Sequence, residues 1–209
     1  MNVAAPSVTI PDVAYKGVIA LAHHAGGRHW IPATSGNFSV RLDGEHCAIT
    51  ASGGDKGALT AAGIIRAPIN GPAHPRASAE APLHFLMYRM APAIGAVAHV
   101  HAQTGVLASL HLAQNGRVRL EGLEMLKALQ GVNTHQACID VPVFDNDQDM
   151  EALALRVEGR LKTHGLGWGL LVAGHGLYAW GSDVQETVRH LDAFDYLFSL
   201  VLKMKGMPA

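Results

Sequence analysis

The sequence predicts a layered α/β sandwich whose central sheet is mixed or mostly antiparallel. Three observations carry that prediction. Short apolar, strand-like runs alternate with stretches of helical periodicity along the chain, the pattern of helices packed on a sheet. Asp43-Gly44 separates "NFSVRL" from "CAIT", a residue pair suited to a tight hairpin, and such hairpin signals argue against a fully parallel sheet. No internal repeat, linker or low-complexity segment interrupts the 209 residues, so the expectation is a single domain over 1–209 with a sizeable core.

Pro11 and Asp12 open a helix in which Val13, Val18, Ile19, Leu21 and Ala22 give an apolar stripe, ended by Gly26-Gly27. "NFSVRL" and "CAIT" follow as strands, then the glycine-rich loop "SGGDKG", then a strand over 62–70. Pro72 and Pro75 keep "GPAHPR" from being helical, whereas Pro82 suits the first turn of a helix reaching about Met90. "AIGAVAHVH" reads as a buried strand, "QTGVLASLHLA" as a helix, "RVRLEG" as a strand, "EMLKALQ" as a short helix and "ACIDVPVFD" as a strand. Met150, Leu153, Leu155, Val157 and Leu161 mark an amphipathic helix over 147–163. "GWGLLVAGHGLYAWG" is a buried strand that turns at its glycines, and a last helix covers 183–204.

Charges are few and balanced, 16 Lys and Arg against 17 Asp and Glu. Neither a basic stripe nor an acidic tail is present, which argues against nucleic acid or a polybasic membrane contact as partner. The low charge suggests apolar surface covered by other subunits. The N-terminal stretch "MNVAAPSVTIPDVAYKG" lacks the pattern of a signal peptide, and no apolar run approaches the roughly 20 residues of a membrane span. A cytoplasmic protein is expected, with Cys47 and Cys138 as buried small hydrophobes rather than a disulfide.

Thirteen histidines are many for such a chain. On a strand, His99 and His101 share one face and can present two imidazoles to one metal ion. Alone, that pair is read more readily as one or two satisfied histidines near the edge of the core, and a third ligand is what shifts the reading to a metal. His175, between Gly174 and Gly176 at the end of an apolar strand, supplies a third candidate ligand. Glu80 precedes the helix that leads into the His99 strand and can also reach the site. Three neutral nitrogens with an open position describe a catalytic zinc-type centre rather than a structural one. The other histidines lack such spacing and are expected to be solvated or structural. "ATSGNFS" and "ITASGGDKG" add Thr34, Ser35, Gly36, Asn37, Ser52, Gly53 and Lys56, a set able to cradle an anion although neither loop has P-loop spacing.

In this order, "TSGNFS", "ITASGGDKG", "AEAPLH", "HVH" and "GHG" resemble the class II aldolase family, and the resemblance runs from about residue 12 to the C-terminus. It implies a three-layer α/β/α fold and one zinc ion per subunit, bound by His99, His101 and His175. It also implies a sugar-phosphate substrate with Asn37, Ser52, Gly53 and Lys56 on the phosphate side, and a homotetramer with sites at subunit boundaries. "TASGGDKG" and "LEMLKAL" favour a dehydrating branch acting on a ketose 1-phosphate through an enediolate. There Glu124 is implied as the general acid/base, while the aldolases use the acid at the position of Glu80. Glu121, three residues before Glu124, reads as a rim carboxylate. Aldol cleavage of a ketose 1-phosphate is the alternative. A non-catalytic adducin-like module predicts lost metal ligands, yet all three histidines are present.

Overall fold

A computed structural model describes residues 9–71 and 74–206, so Pro72 and the first eight residues of the N-terminal stretch lie outside it. In chain order the helices are α1 (Asp12–Gly27), α2 (Ala81–Met90), α3 (Gln103–His111), α4 (Met150–His164) and α5 (Val184–Met204). The strands are β1 (Asn37–Arg41), β2 (His46–Thr50), β3 (Ile64–Pro68), β4 (Ala96–Val100), β5 (Arg117–Glu121), β6 (Cys138–Phe144), β7 (Gly169–Val172) and β8 (Gly176–Gly181). They form one 8-stranded sheet in the order β3-β2-β1-β4-β8-β7-β6-β5. Only β6 and β7 run parallel among these neighbours, so the sheet is mixed and mostly antiparallel, as the hairpin signals require.

The period-two alternation of the strands divides the core into two slabs. Ala96, Ala98 and Val100 of β4 face the α1, α3 and α5 layer, while Val97 faces α2 and α4. His99 and His101 therefore fall on the α2/α4 side. α5 contributes Leu191, Phe194, Leu197, Phe198 and Leu202 to the first slab. Its start is fixed by Asp183, whose carboxylate accepts the Glu186 N–H at 2.8 Å, a cap worth about 1 kcal/mol.

Several local expectations change. Val13 and Leu155 are 75% and 70% exposed and do not belong to the stripes of α1 and α4. Buried positions 14, 18, 21 and 25 set the inward arc of α1, and position 13 lies about 80–140° around the helix from each of them. Leu155 likewise falls off the arc set by Leu153, Ala154, Val157 and Leu161. Cys138 is exposed, because β6 begins with Cys138 and Asp140 on its outward side; Cys47 is buried as expected. The short helix at Glu124 is a 3-10 segment, Glu124–Ala128. The run around His175 is two antiparallel strands, β7 and β8, with the histidine in the turn between them. Among the described residues, no helix is long and apolar enough to cross a membrane.

Candidate metal centre

The site grows from the seam between β4 and β8. Their register sets His99 opposite Tyr178 and Val100 opposite Leu177, so the turn before β8 brings His175 beside His99. Gly176 makes the approach possible: a Cβ there would meet the Val100 carbonyl oxygen and lie 3.1 Å from His99 Cε1. The other neighbour of β4 is β1, whose first residue, Asn37, lies opposite His99.

Hydrogen bonds orient two of the rings. His99 Nδ1–H donates to the Leu177 carbonyl oxygen at 3.1 Å, which turns the Nε2 lone pair toward the centre. His175 Nδ1–H donates to Asn146 Oδ1 at 3.3 Å with the same effect. His101, just beyond β4, is fixed through its main chain, its N–H donating to the Trp30 carbonyl oxygen at 2.8 Å. Tyr178 lies flat against His99, with ring centroids 4.0 Å apart and planes at 18°.

His99 Nε2 stands 3.0 Å from His101 Nε2 and 3.3 Å from His175 Nε2. Nitrogens about 2.0–2.1 Å from a tetrahedral ion are separated by about 3.3–3.4 Å, so these spacings are those of coordination edges. Glu80 Oε1 lies 2.7 Å from His175 Nε2 and 3.5 Å from His99 Nε2. All four ligand atoms fall within 4.8 Å of one another, and the residues present can hold a metal ion. Lone pairs converging this closely repel unless a cation or proton lies between them. Burial, with His99 and His175 nearby, pushes His101 down to about 4, so it stays neutral near pH 7 and ready to ligate.

Glu80 sits at the N-terminal edge of α2 and is held from two sides. Asn37 Nδ2 donates to Glu80 Oε2, and the Glu80 N–H donates to Ser78 Oγ at 3.3 Å. Burial alone would raise its carboxyl, but His175 and His99, when protonated at Nε2, hydrogen-bond to it and outweigh that, holding it well below the ordinary carboxylate range.

The loops predicted to cradle an anion surround this group. Gly36 takes φ +77°, where a Cβ would lie 2.7 Å from Ile31 Cγ2 and 2.9 Å from the His99 carbonyl oxygen. Ala33 and Thr34 also adopt left-handed backbone, which is costly for residues with side chains and recurs at functional sites. Lys56 is buried and donates to the Thr34 carbonyl oxygen at 2.9 Å. Burial lowers its pKa while the Glu80 and Asp55 charges oppose that shift, which places the ammonium within the field of Glu80. Ser35 Oγ and Asn37 Oδ1 are buried without a partner among the described residues. Ser52 and Gly53 are exposed, on a loop tied by the Ser52 N–H to the Arg76 carbonyl oxygen at 2.9 Å.

Glu124 is not brought to the cluster within one chain. It is exposed on the Glu124–Ala128 segment, paired with Lys127 at 2.6 Å and lying 3.7 Å from His135. The Lys127 contact holds its carboxyl below the usual range. Glu121 is exposed and paired with Arg119 at 2.9 Å, as a rim carboxylate should be. Tyr178 and Asn146 were not singled out in the sequence as parts of the centre. Tyr178 lies in the apolar run after His175, and its place opposite His99 follows from strand register that no local pattern encodes. Asn146 sits in the polar run "FDNDQD" and carries no local signal either.

Behind the centre, His84 is fully buried, its Nδ1 2.7 Å from Ser39 Oγ, which lies 2.8 Å from the Tyr88 hydroxyl. Burial, then the charge of His99, pushes His84 down to about 3. An unfolded histidine titrates near 6.5, so the stabilising contribution is complete above that pH and is lost as pH falls toward 3. The metal-free protein is expected to lose denaturant resistance from pH 6.5 to 4, with at most about 1.4 kcal/mol per pH unit from this group. His84→Gln should flatten that slope; an unchanged slope would remove His84 from the account.

The fold and the convergent histidines define a class. Residues 16–202 match the family model for the Class II Aldolase and Adducin N-terminal domain, and the chain belongs to that family. It is 52% identical over 189 residues to a methylthioribulose-1-phosphate dehydratase of Parvibaculum lavamentivorans, covering 90% of this chain and 93% of the relative. Identity to a protein of that name from Stenotrophomonas maltophilia is 50% over 181 residues, 85% of this chain and 84% of the relative. Among solved structures, L-fuculose-1-phosphate aldolase from Thermus thermophilus superposes with TM-score 0.74 at 27% identity, covering 91% of this chain and 94% of the aldolase.

Proposed function

We propose that this chain, working as a single class II aldolase-like domain over 1–209, is a methylthioribulose-1-phosphate dehydratase. It converts 5-methylthioribulose 1-phosphate to 2,3-diketo-5-methylthiopentyl 1-phosphate in methionine salvage. The name carried by relatives at 52% and 50% identity across most of both chains supports the substrate. The observation that carries the chemistry is the convergence of three imidazoles, with His99 Nε2 at 3.0 and 3.3 Å from the Nε2 atoms of His101 and His175 and all ligand atoms within 4.8 Å of one another. His99, His101 and His175 would hold one zinc ion per subunit. With a divalent cation held by these residues, the site would gain a Lewis acid able to polarise a substrate carbonyl and lower the cost of removing the neighbouring C–H proton.

The residues of the chain do the rest. Dehydration removes the proton from C3 and releases the C4 hydroxyl as water, so one group must accept a proton from carbon and then deliver one to the leaving oxygen. Glu124 is assigned that role, working in the site of a neighbouring copy within a cytoplasmic homotetramer. Its exposure beside Met125, Tyr196 and Leu200, in a groove between the Glu124–Ala128 segment and α5, suits an interface position. Glu80 completes the metal environment and holds the substrate hydroxyls, while Asn37, Ser52, Gly53 and Lys56 form the phosphate side. The buried, partnerless Ser35 Oγ and the cation of Lys56 support an anionic ligand there.

Aldol cleavage of a ketose 1-phosphate is the second reading, favoured by the presence of Glu80 rather than Glu124 beside the histidines. Product analysis separates the two. Incubating zinc-loaded protein with 5-methylthioribulose 1-phosphate should yield the diketone and no aldehyde. A three-carbon phosphate accompanied by an aldehyde would replace dehydration with cleavage.

A further inference from the structure

The three histidines of the centre are oriented by different means. His99 is fixed by a main-chain carbonyl that no substitution removes, and His101 by its own backbone. Among the described residues, His175 alone of the three has its Nδ1 held by another side chain, Asn146 Oδ1 at 3.3 Å. That distinction is mechanical as well as chemical, because His175 stands in a turn after Gly174, at φ +65°, rather than in a strand. Its own N–H donates to the Val172 carbonyl oxygen at 3.1 Å, which closes the turn but does not set the orientation of the ring. A neutral imidazole in water favours the proton on Nε2, the nitrogen that must here be free to ligate, so an acceptor at Nδ1 selects the useful tautomer.

We propose that Asn146, on the loop between β6 and α4, is a positioning residue for the metal centre, aiming His175 and fixing its tautomer through the Nδ1–H to Oδ1 hydrogen bond. The inference rests on the reading of His99, His101 and His175 as metal ligands. The loop joins β6, which pairs with β7, to α4, so Asn146 also couples the far half of the sheet to the seam between β4 and β8. Asn146 is exposed, and its replacement removes no buried packing.

The test is zinc affinity of the full-length protein, measured by competition with a chromogenic chelator at pH 7.5. Asn146→Ala should weaken binding about 10–100-fold, the usual cost of losing such a partner. Asn146→Asp should restore wild-type affinity or exceed it, because a carboxylate accepts the same N–H more strongly. Asp145→Asn, which alters a neighbouring charge without touching His175, should change affinity less than about threefold, well short of that cost. Thermal unfolding of the three metal-free variants should match wild type, which separates aiming a ligand from holding the fold. The proposal is overturned if Asn146→Ala binds zinc as wild type does or if Asn146→Asp is as weak as Asn146→Ala. An Asp145→Asn effect as large as that of Asn146→Ala would overturn it too, by making the field of the loop the cause. Wild-type protein that takes up no zinc would overturn both this inference and the metal centre, whereas normal wild-type uptake with an inert Asn146 overturns the inference alone.

Discussion

Replacing His99 with alanine is expected to strip the metal from the protein and end turnover. No other residue of the centre has so many roles. Its Nε2 is the nitrogen from which both other histidine spacings are measured, at 3.0 and 3.3 Å, and Glu80 Oε1 lies 3.5 Å away. Its ring fills the space between Tyr178 and the cluster, and its Nδ1–H satisfies the Leu177 carbonyl. The substitution leaves two imidazoles and the Glu80 carboxylate, and removes the donor that stands 3.0, 3.3 and 3.5 Å from the other three. Zinc retained after gel filtration should fall below about a tenth of wild type, consistent with a loss exceeding the 10–100-fold of a mere supporting partner. Dehydration should become undetectable. Tyr178→Phe gives the contrast, since the ring that stacks on His99 is retained and metal should stay bound. Full activity in metal-free His99→Ala protein would remove the metal from the reaction.

The second large effect concerns the acid/base. Glu124→Gln is expected to lower kcat by about 10²–10⁴, the range for a positioned proton-transfer group, with zinc content and substrate binding preserved. The isosteric amide keeps the shape of an exposed side chain, so stability should move little. Because Glu124 lies on the surface of its own chain, the neighbouring-copy assignment makes a further demand. Glu124→Gln subunits co-assembled with His99→Ala subunits should regain part of the activity that neither has alone. In such mixed assemblies an intact centre in one subunit receives an intact carboxylate from the other. Silence in the mixed assemblies would return the proton transfer to a single chain, with Glu80 as the carboxylate at hand. If Glu80→Gln proves fatal and Glu124→Gln mild, the acid has been misassigned.

How far the sequence reveals this centre depends on the range over which each signal acts. The H-x-H spacing depends only on strand pleat, and the structure keeps both rings on one side of the sheet. His175 is legible because flanking glycines are expensive in an apolar run without a reason, and the reason is the close approach of Val100 and His99. The sheet order is a different matter. That β1 and β8 flank β4 is decided by long-range packing, and with it the meeting of Asn37 and Glu80. The sequence places Asn37 on the phosphate side; in the structure its amide fixes the Glu80 carboxylate, a contact between residues 43 positions apart that no local pattern encodes. Stripe membership at Val13 and Leu155 failed for a narrower reason: an apolar residue one step off a helical arc satisfies a composition count but not the geometry.

The turn that carries His175 has a consequence for how the protein comes into being. His99 and His175 are separated by 76 positions, and Glu80 joins them from a third part of the chain. During synthesis no early fragment can assemble the full donor set, so cation capture is a late event that follows the docking of the β7–β8 hairpin onto β4. An ion that recognises only the finished arrangement stabilises it by mass action, about 2.7 kcal/mol at a free concentration one hundred times the dissociation constant. Scarcity of the ion would therefore lower the abundance of the protein in the cell as well as its turnover, since unloaded chains remain closer to the threshold at which quality control removes them.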